Sequence, residues 1–262
     1  MREARDITRQ VTVAASAVVA VVGAFIGSGA AGGTPIQEAS GGALSATATP
    51  IAPDVPAFSI WSVIYLGLLA YALWQFLPSQ ASAERHRHLG YWVAASLILN
   101  AAWILSVQFD MLWLSLPVIV ALLAVLARAF VLCLRLPPSG PVDALVTDGT
   151  IGLYLGWVSI ATAANATALL VAAGFTGFGL DPDAWAVAVL VVAGLVGVLV
   201  AILGHGRIAP ALSLAWGLAW VAVGRLTGEL LSVPAGLTAI VVLAVVLLVT
   251  AIARVQATAR AA

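Results

Sequence analysis

The sequence predicts an all-α protein, a polytopic transmembrane helical bundle of about eight spans. Its 262 residues are 63% hydrophobic and 8% charged, and the mean hydropathy is +1.11. A soluble domain is about 45–50% apolar and about 25% charged, so the composition excludes that class. The apolar runs are continuous rather than alternating, which favours helices. Because a span takes about 20 residues, eight spans leave room for short loops, one long loop and two tails.

The eight predicted spans follow from apolar runs that end at glycines, prolines or charged residues. Pro182, Pro210 and Pro234 lie in or near the first turns of the last three runs, where a missing N–H costs little. Pro117 lies inside the fourth run and predicts a kink or a broken helix there. The spans cover approximately residues 11–28, 58–77, 89–109, 111–134, 148–173, 184–204, 208–226 and 233–253.

The arginines predict the orientation in the membrane. With eight spans, ten of the eleven arginines lie on the side of the two termini, and only Arg225 lies opposite. Since basic residues are retained in the cytoplasm, we expect a multi-pass protein of the cell membrane with both termini cytoplasmic. The long loop of residues 29–57 then faces outward. Its Gly, Ala, Ser, Thr and Pro content is typical of a flexible linker, but a loop of this length is also compatible with a lid over a pocket.

Several kinds of chemistry are excluded or disfavoured. The chain has no lysine for a Schiff base or a phosphate loop, and its single cysteine, Cys133, forms no disulfide framework and no cysteine-based metal site. The formal net charge is zero and no basic patch indicates nucleic-acid binding. The histidines, His86, His88 and His205, are expected in polar loops, so none is placed to ligate a haem between helices. We predict no catalytic residue and no metal site.

Intramembrane charge also points away from ion coupling. The charged residues closest to the spans are expected near helix ends, where water is within reach, and no carboxylate is predicted at the middle of the bilayer. The charged residues near the span ends are Asp110, Asp148, Arg225 and Glu229.

Aromatic and amide side chains recur at helical spacing within the predicted spans, which places them on shared helix faces. An asparagine inside a bilayer is unfavourable unless it is paired. Two interpretations stay open: these side chains hold helices together, or they form a pocket for a flat or apolar ligand. They are Phe58, Trp61 and Tyr65 in the second span, Asn100 and Trp103 in the third, Trp157, Ala161 and Asn165 in the fifth, and Trp216 and Trp220 in the seventh.

Three of these stretches resemble motifs of the tryptophan-rich sensory protein family (TspO/MBR), which includes the mitochondrial translocator protein, or peripheral benzodiazepine receptor. Residues 58–65 resemble the Phe…Trp-Thr-x-Leu-Tyr signature of its second helix. Residues 99–103 resemble its Leu-Asn-x-x-Trp in the third helix, and residues 157–165 resemble its Trp-x-x-Phe-Ala-x-x-Leu-Asn in the fifth. The first loop departs from the family, because residues 50–56 keep prolines without its Trp, Tyr and Lys.

The resemblance implies a five-helix core over residues 1–173, with the long outer loop 29–57, and three additional transmembrane helices in residues 174–262, as in longer bacterial relatives. It implies a binding or sensory protein, not an enzyme, for a tetrapyrrole such as haem or protoporphyrin, or for a sterol-like molecule, held without a covalent bond. The pocket would be built from helices one, two, three and five beneath the first loop. Trp61 and Tyr65 would line it, Asn100 and Trp103 would form its floor, and Trp157, Ala161 and Asn165 its far wall.

Family members also dimerise through small residues, and Gly23 and Gly27 have a spacing that permits close helix approach. The lipid bilayer, a small hydrophobic ligand and a second copy of the chain are therefore the expected partners. Two alternatives to a receptor stay open. One is a secondary transporter of a small apolar or amphipathic solute, suggested by the eight spans and by Pro117. The other is a membrane enzyme acting on a lipid or pigment, although the spans lack an evident acid–base pair.

Overall fold

The computed structural model describes residues 3–261, which contain eight helices long and apolar enough to span a membrane and no β-strand. The predicted all-α polytopic bundle of about eight spans is confirmed. Of the arginines that predict the orientation, Arg2 lies outside the described residues. The helices are α1 (Ala4–Gly27), α2 (Ile60–Trp74), α3 (Glu84–Gln108), α4 (Leu112–Arg135), α5 (Thr150–Ala172), α6 (Pro182–Leu203), α7 (Ile208–Thr227) and α8 (Val233–Ala261).

Helices α1 and α3 begin several residues before the predicted spans. Their first turns are polar, yet Asp6 and His86 are fully buried, and Arg85 is nearly so. The expectation of a solvated loop around His86 was therefore wrong, and the histidine lies inside the first turn of α3. Its Nε2 atom lies 3.1 Å from Oε1 of Gln80, and its ring packs edge-on against Tyr71 at 5.6 Å.

Two irregular features differ from the prediction. Helix α4 runs as one element through Pro117, so the broken helix on which the transporter alternative relied is not formed. The irregular backbone instead precedes α5, where a short helix, Pro141–Asp143, leads into a π-helical segment, Ala144–Gly149. Single π-helical turns inside helices are often found at functional sites.

By internal contacts the chain divides into two compact units. The first comprises Met1–Pro35 and Ile60–Leu155, and the second comprises Ile36–Ser59 and Gly156–Ala262. This division follows packing alone. The predicted boundary at residue 173 concerns the extent of a family-like core, so it stays a prediction.

In the first unit, α3 packs against both α1 and α4. The α1–α3 contact depends on glycine: a Cβ atom at Gly23 would lie 2.9 Å from Cβ of Ala101, and one at Gly27 would lie 2.7 Å from Cγ2 of Ile104. The two small residues that suggested a dimer interface therefore pack within the chain. The homodimer stays a prediction, without a surface assigned to it.

Buried ion pairs join the polar ends of these helices. Arg87 of α3 donates two hydrogen bonds of 2.7 Å to the carboxylate of Asp6 in α1. Arg85 pairs with Asp148 of the π-helical segment, and its Nε atom lies 3.8 Å from Asp143. A buried charge is strongly unfavourable unless it is paired, so these contacts explain why charged first turns are accommodated inside the bundle.

In the second unit, α8 packs against α6 and α7. Glycines of α6 again allow neighbouring helices to approach closely. A Cβ atom at Gly194 would lie 2.5 Å from Cγ1 of Val242 in α8, and one at Gly197 would lie 2.4 Å from Leu214 in α7. Residues 36–59 belong to this unit and end in a 3₁₀ helix, Val55–Ser59, which contacts α7.

Candidate functional site

The segment of residues 36–59 is fixed to α7 by side-chain and backbone hydrogen bonds. Trp216 donates its indole N–H to the carbonyl of Ala57 over 2.9 Å, and the amide of Asp54 donates to the carbonyl of Trp220 over 3.2 Å. Ile51 and Ala57 are fully buried. This part of the predicted loop is therefore a folded element of the second unit rather than a free linker.

Arg225 completes this attachment. Its guanidinium donates to the carbonyl oxygens of Thr49, over 3.2 Å, and of Ala46. The side chain is only 1% exposed and lies in the last turn of α7, near the helix end where the sequence predicts it. A polar cavity of about 300 Å³, lined by Arg225, Asp54 and Glu229 among others, lies beside it. Hydrogen bonds from Nη1 and Nη2 to backbone carbonyls offset part of the cost of burying the cation, while Nε has no partner among the described residues.

Four of the predicted ligand-binding residues lie in the first unit, and Tyr65 contacts two of the others, Asn100 and Trp61. Asn100 donates from Nδ2 to the Tyr65 hydroxyl over 2.7 Å. The Tyr65 hydroxyl in turn lies 3.4 Å from the carbonyl oxygen of Ala20. The rings of Trp61 and Tyr65 lie 5.8 Å apart. The fourth residue, Trp103, is buried three residues after Asn100 on α3.

One atom of this group has no hydrogen-bond partner among the described residues. The Oδ1 atom of Asn100 is buried and accepts no hydrogen bond from them, and the whole residue is only 3% exposed. A buried acceptor without a partner costs about 1–3 kcal/mol. In native proteins such an atom is usually satisfied by ordered water or by a ligand.

Tyr154 also belongs to this group, although no sequence motif indicates it. Its ring packs edge-on against Trp61, with centroids 5.7 Å apart at 75°, and its hydroxyl lies 3.3 Å from the carbonyl oxygen of Ser96. Spacing was the available signal, because Tyr154 precedes Trp157 by three residues and extends the predicted stripe by one turn.

The other four predicted residues lie in the second unit. Phe58 packs edge-on against Trp157, with centroids 5.9 Å apart at 80°. Trp157 and Asn165 are 2% and 1% exposed, and Ala161 is half-buried. Phe58 lies in the second span, Val55–Trp74, as predicted, within the 3₁₀ helix that leads directly into α2. That all eight residues bind one ligand stays a prediction.

Comparison with known proteins gives one family and no individual relative. A family model described as TSPO-like protein matches residues 13–253. The match extends well past residue 173, where the motif resemblance ended, and reaches α8. No curated protein and no solved structure matches the chain.

Proposed function

Because the chain belongs to the TSPO-like family, we propose that this multi-pass membrane protein is a binding and sensory protein for a flat hydrophobic ligand. The proposed ligand is a tetrapyrrole such as haem or protoporphyrin, or a sterol-like molecule. The observation that carries the proposal is the hydrogen bond between buried Asn100 and half-buried Tyr65, beside Trp61.

This arrangement offers two kinds of contact to such a ligand. The unpartnered Oδ1 of Asn100 accepts a hydrogen bond from a pyrrole N–H or a sterol hydroxyl. Trp61 and Tyr65, both half-buried, offer ring faces against which a flat molecule packs. A site with few polar groups and aromatic walls is typical of pockets for apolar molecules. These contacts bind a ligand and require no catalytic step.

The second aromatic group enters the proposal as a separate set of contacts. This group contains Phe58, from the second-helix signature, and three residues of the fifth-helix motif, Trp157, Ala161 and Asn165. Asn165 is the polar member and is 1% exposed. The single variant Asn165→Ala removes this polar contact and leaves Asn100, Tyr65 and Trp61 unchanged.

Titration with protoporphyrin tests the proposal through quenching of tryptophan fluorescence in detergent. Wild-type protein is expected to show saturable quenching, and the double variant Trp61→Ala/Asn165→Ala is expected to lose most of it. Trp113→Ala is the matched control, because Trp113 is 67% exposed on α4. Unchanged quenching in the double variant contradicts the proposal.

Orientation is a further part of the proposal. We place both termini in the cytoplasm because ten of the eleven arginines lie on their side of the predicted topology. Reporter fusions at the carboxyl terminus, active only in the cytoplasm, test this assignment. Activity of a reporter that folds only outside the cytoplasm contradicts it.

The π-helical segment Ala144–Gly149 favours a second candidate, transport of a small apolar or amphipathic solute. Irregular backbone inside a membrane protein is tolerated where it is enclosed by protein or lines a cavity, and it marks many transport sites. Uptake of protoporphyrin into proteoliposomes distinguishes the candidates. A receptor binds the compound without net flux, whereas a transporter accumulates or equilibrates it faster than empty liposomes do.

A further inference from the structure

A cavity of about 440 Å³ lies within the second unit, where α5 ends and α6 begins. None of the eight predicted ligand-binding residues lines it. Its walls come from the last turns of α5, the connection to α6, the first turns of α6 and two residues of the segment 36–59. Among the lining residues are Ile51, Leu170, Phe175, Trp185, Ala186 and Val189.

The lining offers almost no hydrogen bonds to an occupant. The indole N–H of Trp185 donates to the carbonyl of Gly177 over 2.9 Å. The hydroxyl of Thr167 donates to the carbonyl of Ala163 over 3.0 Å. Apart from the hydroxyl of Thr176, the remaining lining side chains are apolar. The cavity therefore selects a molecule that binds through burial of apolar surface.

An aromatic cluster lies at this cavity and continues onto the protein surface. Phe175 packs edge-on against Trp185 at 5.7 Å and against Phe178 at 5.1 Å. Phe178 is 83% exposed and Leu180 is 59% exposed. Exposed aromatic residues at the end of a membrane helix are typical of the bilayer interface. The cavity thus adjoins a surface that contacts lipid.

Charge at the cavity excludes one class of occupant. Asp181, exposed at the N-terminus of α6, lies between two lining residues, Leu180 and Pro182, and Asp183 follows in the first turn of α6. No basic residue lines the cavity. A carboxylate or an anionic headgroup would lie next to like charge without a compensating cation, which is unfavourable. An occupant with an uncharged or zwitterionic head avoids this repulsion.

We propose that this cavity is a lipid site that holds one hydrocarbon chain of a zwitterionic membrane lipid. Its volume lies at the lower end of the range for small-molecule sites, roughly 300–1,000 Å³. The aromatic cluster marks the level of the lipid headgroup, and the acidic connection selects against anionic lipids. The site is independent of the proposed function, because Asn100, Tyr65 and Trp61 take no part in it.

Native mass spectrometry of the detergent-purified protein tests the site, with phosphatidylcholine and phosphatidylglycerol added in parallel. One phosphatidylcholine is expected to be retained at concentrations where phosphatidylglycerol is not. Val189→Trp fills the cavity and is expected to weaken phosphatidylcholine retention by about tenfold or more, which corresponds to 1.4 kcal/mol. Val192→Trp is the matched control, because Val192 lies on the same helix but is 59% exposed, and its retention should equal that of wild type.

Two further variants keep the test decisive. Ala186→Leu fills the same cavity with a smaller side chain, and it replaces Val189→Trp if that variant does not fold. Asp181→Asn keeps a side chain that caps the helix but removes its charge, and it is expected to raise phosphatidylglycerol retention. Equal phosphatidylcholine retention in wild type and in a folded cavity-filling variant overturns the proposal.

Protoporphyrin separates this proposal from the proposed function. The cavity-filling variants are expected to retain wild-type protoporphyrin quenching, because the cavity excludes carboxylate-bearing ligands. If these variants lose protoporphyrin binding but keep phosphatidylcholine, the cavity is a tetrapyrrole site and the lipid assignment is wrong. If wild type shows no protoporphyrin binding but the lipid results hold, the proposed function alone fails.

Discussion

Asn100 donates a hydrogen bond of 2.7 Å from its side-chain amide to the hydroxyl of Tyr65, 35 residues earlier in the chain. The same hydroxyl lies 3.4 Å from the carbonyl oxygen of Ala20, so the pair links α3 to α2 and α1. Within a bilayer, no water replaces these partners. The contact therefore stabilises the first unit, and it leaves Oδ1 of Asn100 without a hydrogen-bond partner among the described residues.

Replacement of Tyr65 by Phe tests the structural part of this relationship. Loss of the hydroxyl leaves the buried Nδ2 of Asn100 unpaired, so the free energy of unfolding is expected to fall by about 1–3 kcal/mol. Thermal unfolding in detergent measures the change. Tyr91→Phe is the control, because Tyr91 is 49% exposed, and the two variants should differ clearly. Equal stability of both variants contradicts the assigned role of the hydroxyl.

Arg225 is expected to hold residues 45–57, within the segment 36–59, against α7. Arg225→Gln removes the donors to Thr49 and Ala46, so the amides of this segment should exchange with deuterium about tenfold faster or more, which corresponds to 1.4 kcal/mol. Hydrogen-exchange mass spectrometry measures the effect. Arg254→Gln, at an exposed position of α8, should leave the segment unchanged. Exchange that is equally slow in both variants shows that the other contacts suffice.

The close approach of α1 and α3 predicts a penalty for a single methyl group. In Gly27→Ala the added Cβ would lie 2.7 Å from Ile104, and overpacking of this kind costs about 1–3 kcal/mol. Thermal unfolding should show the loss while the oligomeric state stays the same. Gly140→Ala is the matched control, since a Cβ there meets nothing within 4 Å. A change in oligomeric state without loss of stability would instead support the dimer interface.

The buried ion pair of Arg85 and Asp148 gives a further stability prediction. Arg85→Gln leaves Asp148 and Asp143 without this cation in a buried environment, which costs about 3–5 kcal/mol when a buried pair is broken. Arg5→Gln removes an arginine whose side chain is 65% exposed and should change stability by about 0–1 kcal/mol. Chemical denaturation in mixed micelles compares the two. Similar small losses in both variants would show that Arg85 contributes little.

The spans could be predicted from sequence because hydropathy and length suffice to identify a membrane helix. The burial of the polar first turns of α1 and α3 could not be predicted from sequence. Arg85 and His86 resemble loop residues until their partners are known, and Asp148 lies 63 residues away in the sequence. Phe58 lies within the second span as predicted, but the sequence did not show that this span begins as a 3₁₀ helix and becomes α-helical at Ile60.

Part of the candidate site could also be predicted from the sequence. The family motifs contain Trp61, Tyr65 and Asn100, and in the structure Tyr65 contacts both of the others. Tyr154 was missed because no motif contains it, although it packs against Trp61. The attachment of Ala57 to Trp216 is also beyond sequence reasoning, since it joins a loop carbonyl to an indole 159 residues away.

Protoporphyrin titration of Asn100→Leu tests the central claim most directly. The substitution introduces an apolar side chain of similar size and removes the unpartnered acceptor. The affinity measured by tryptophan quenching should then fall by about tenfold or more, since leaving the ligand's buried donor unpaired costs about 1–3 kcal/mol. Tyr91→Phe, measured in parallel, should bind as wild type does. Wild-type affinity in a folded Asn100→Leu protein would contradict the account.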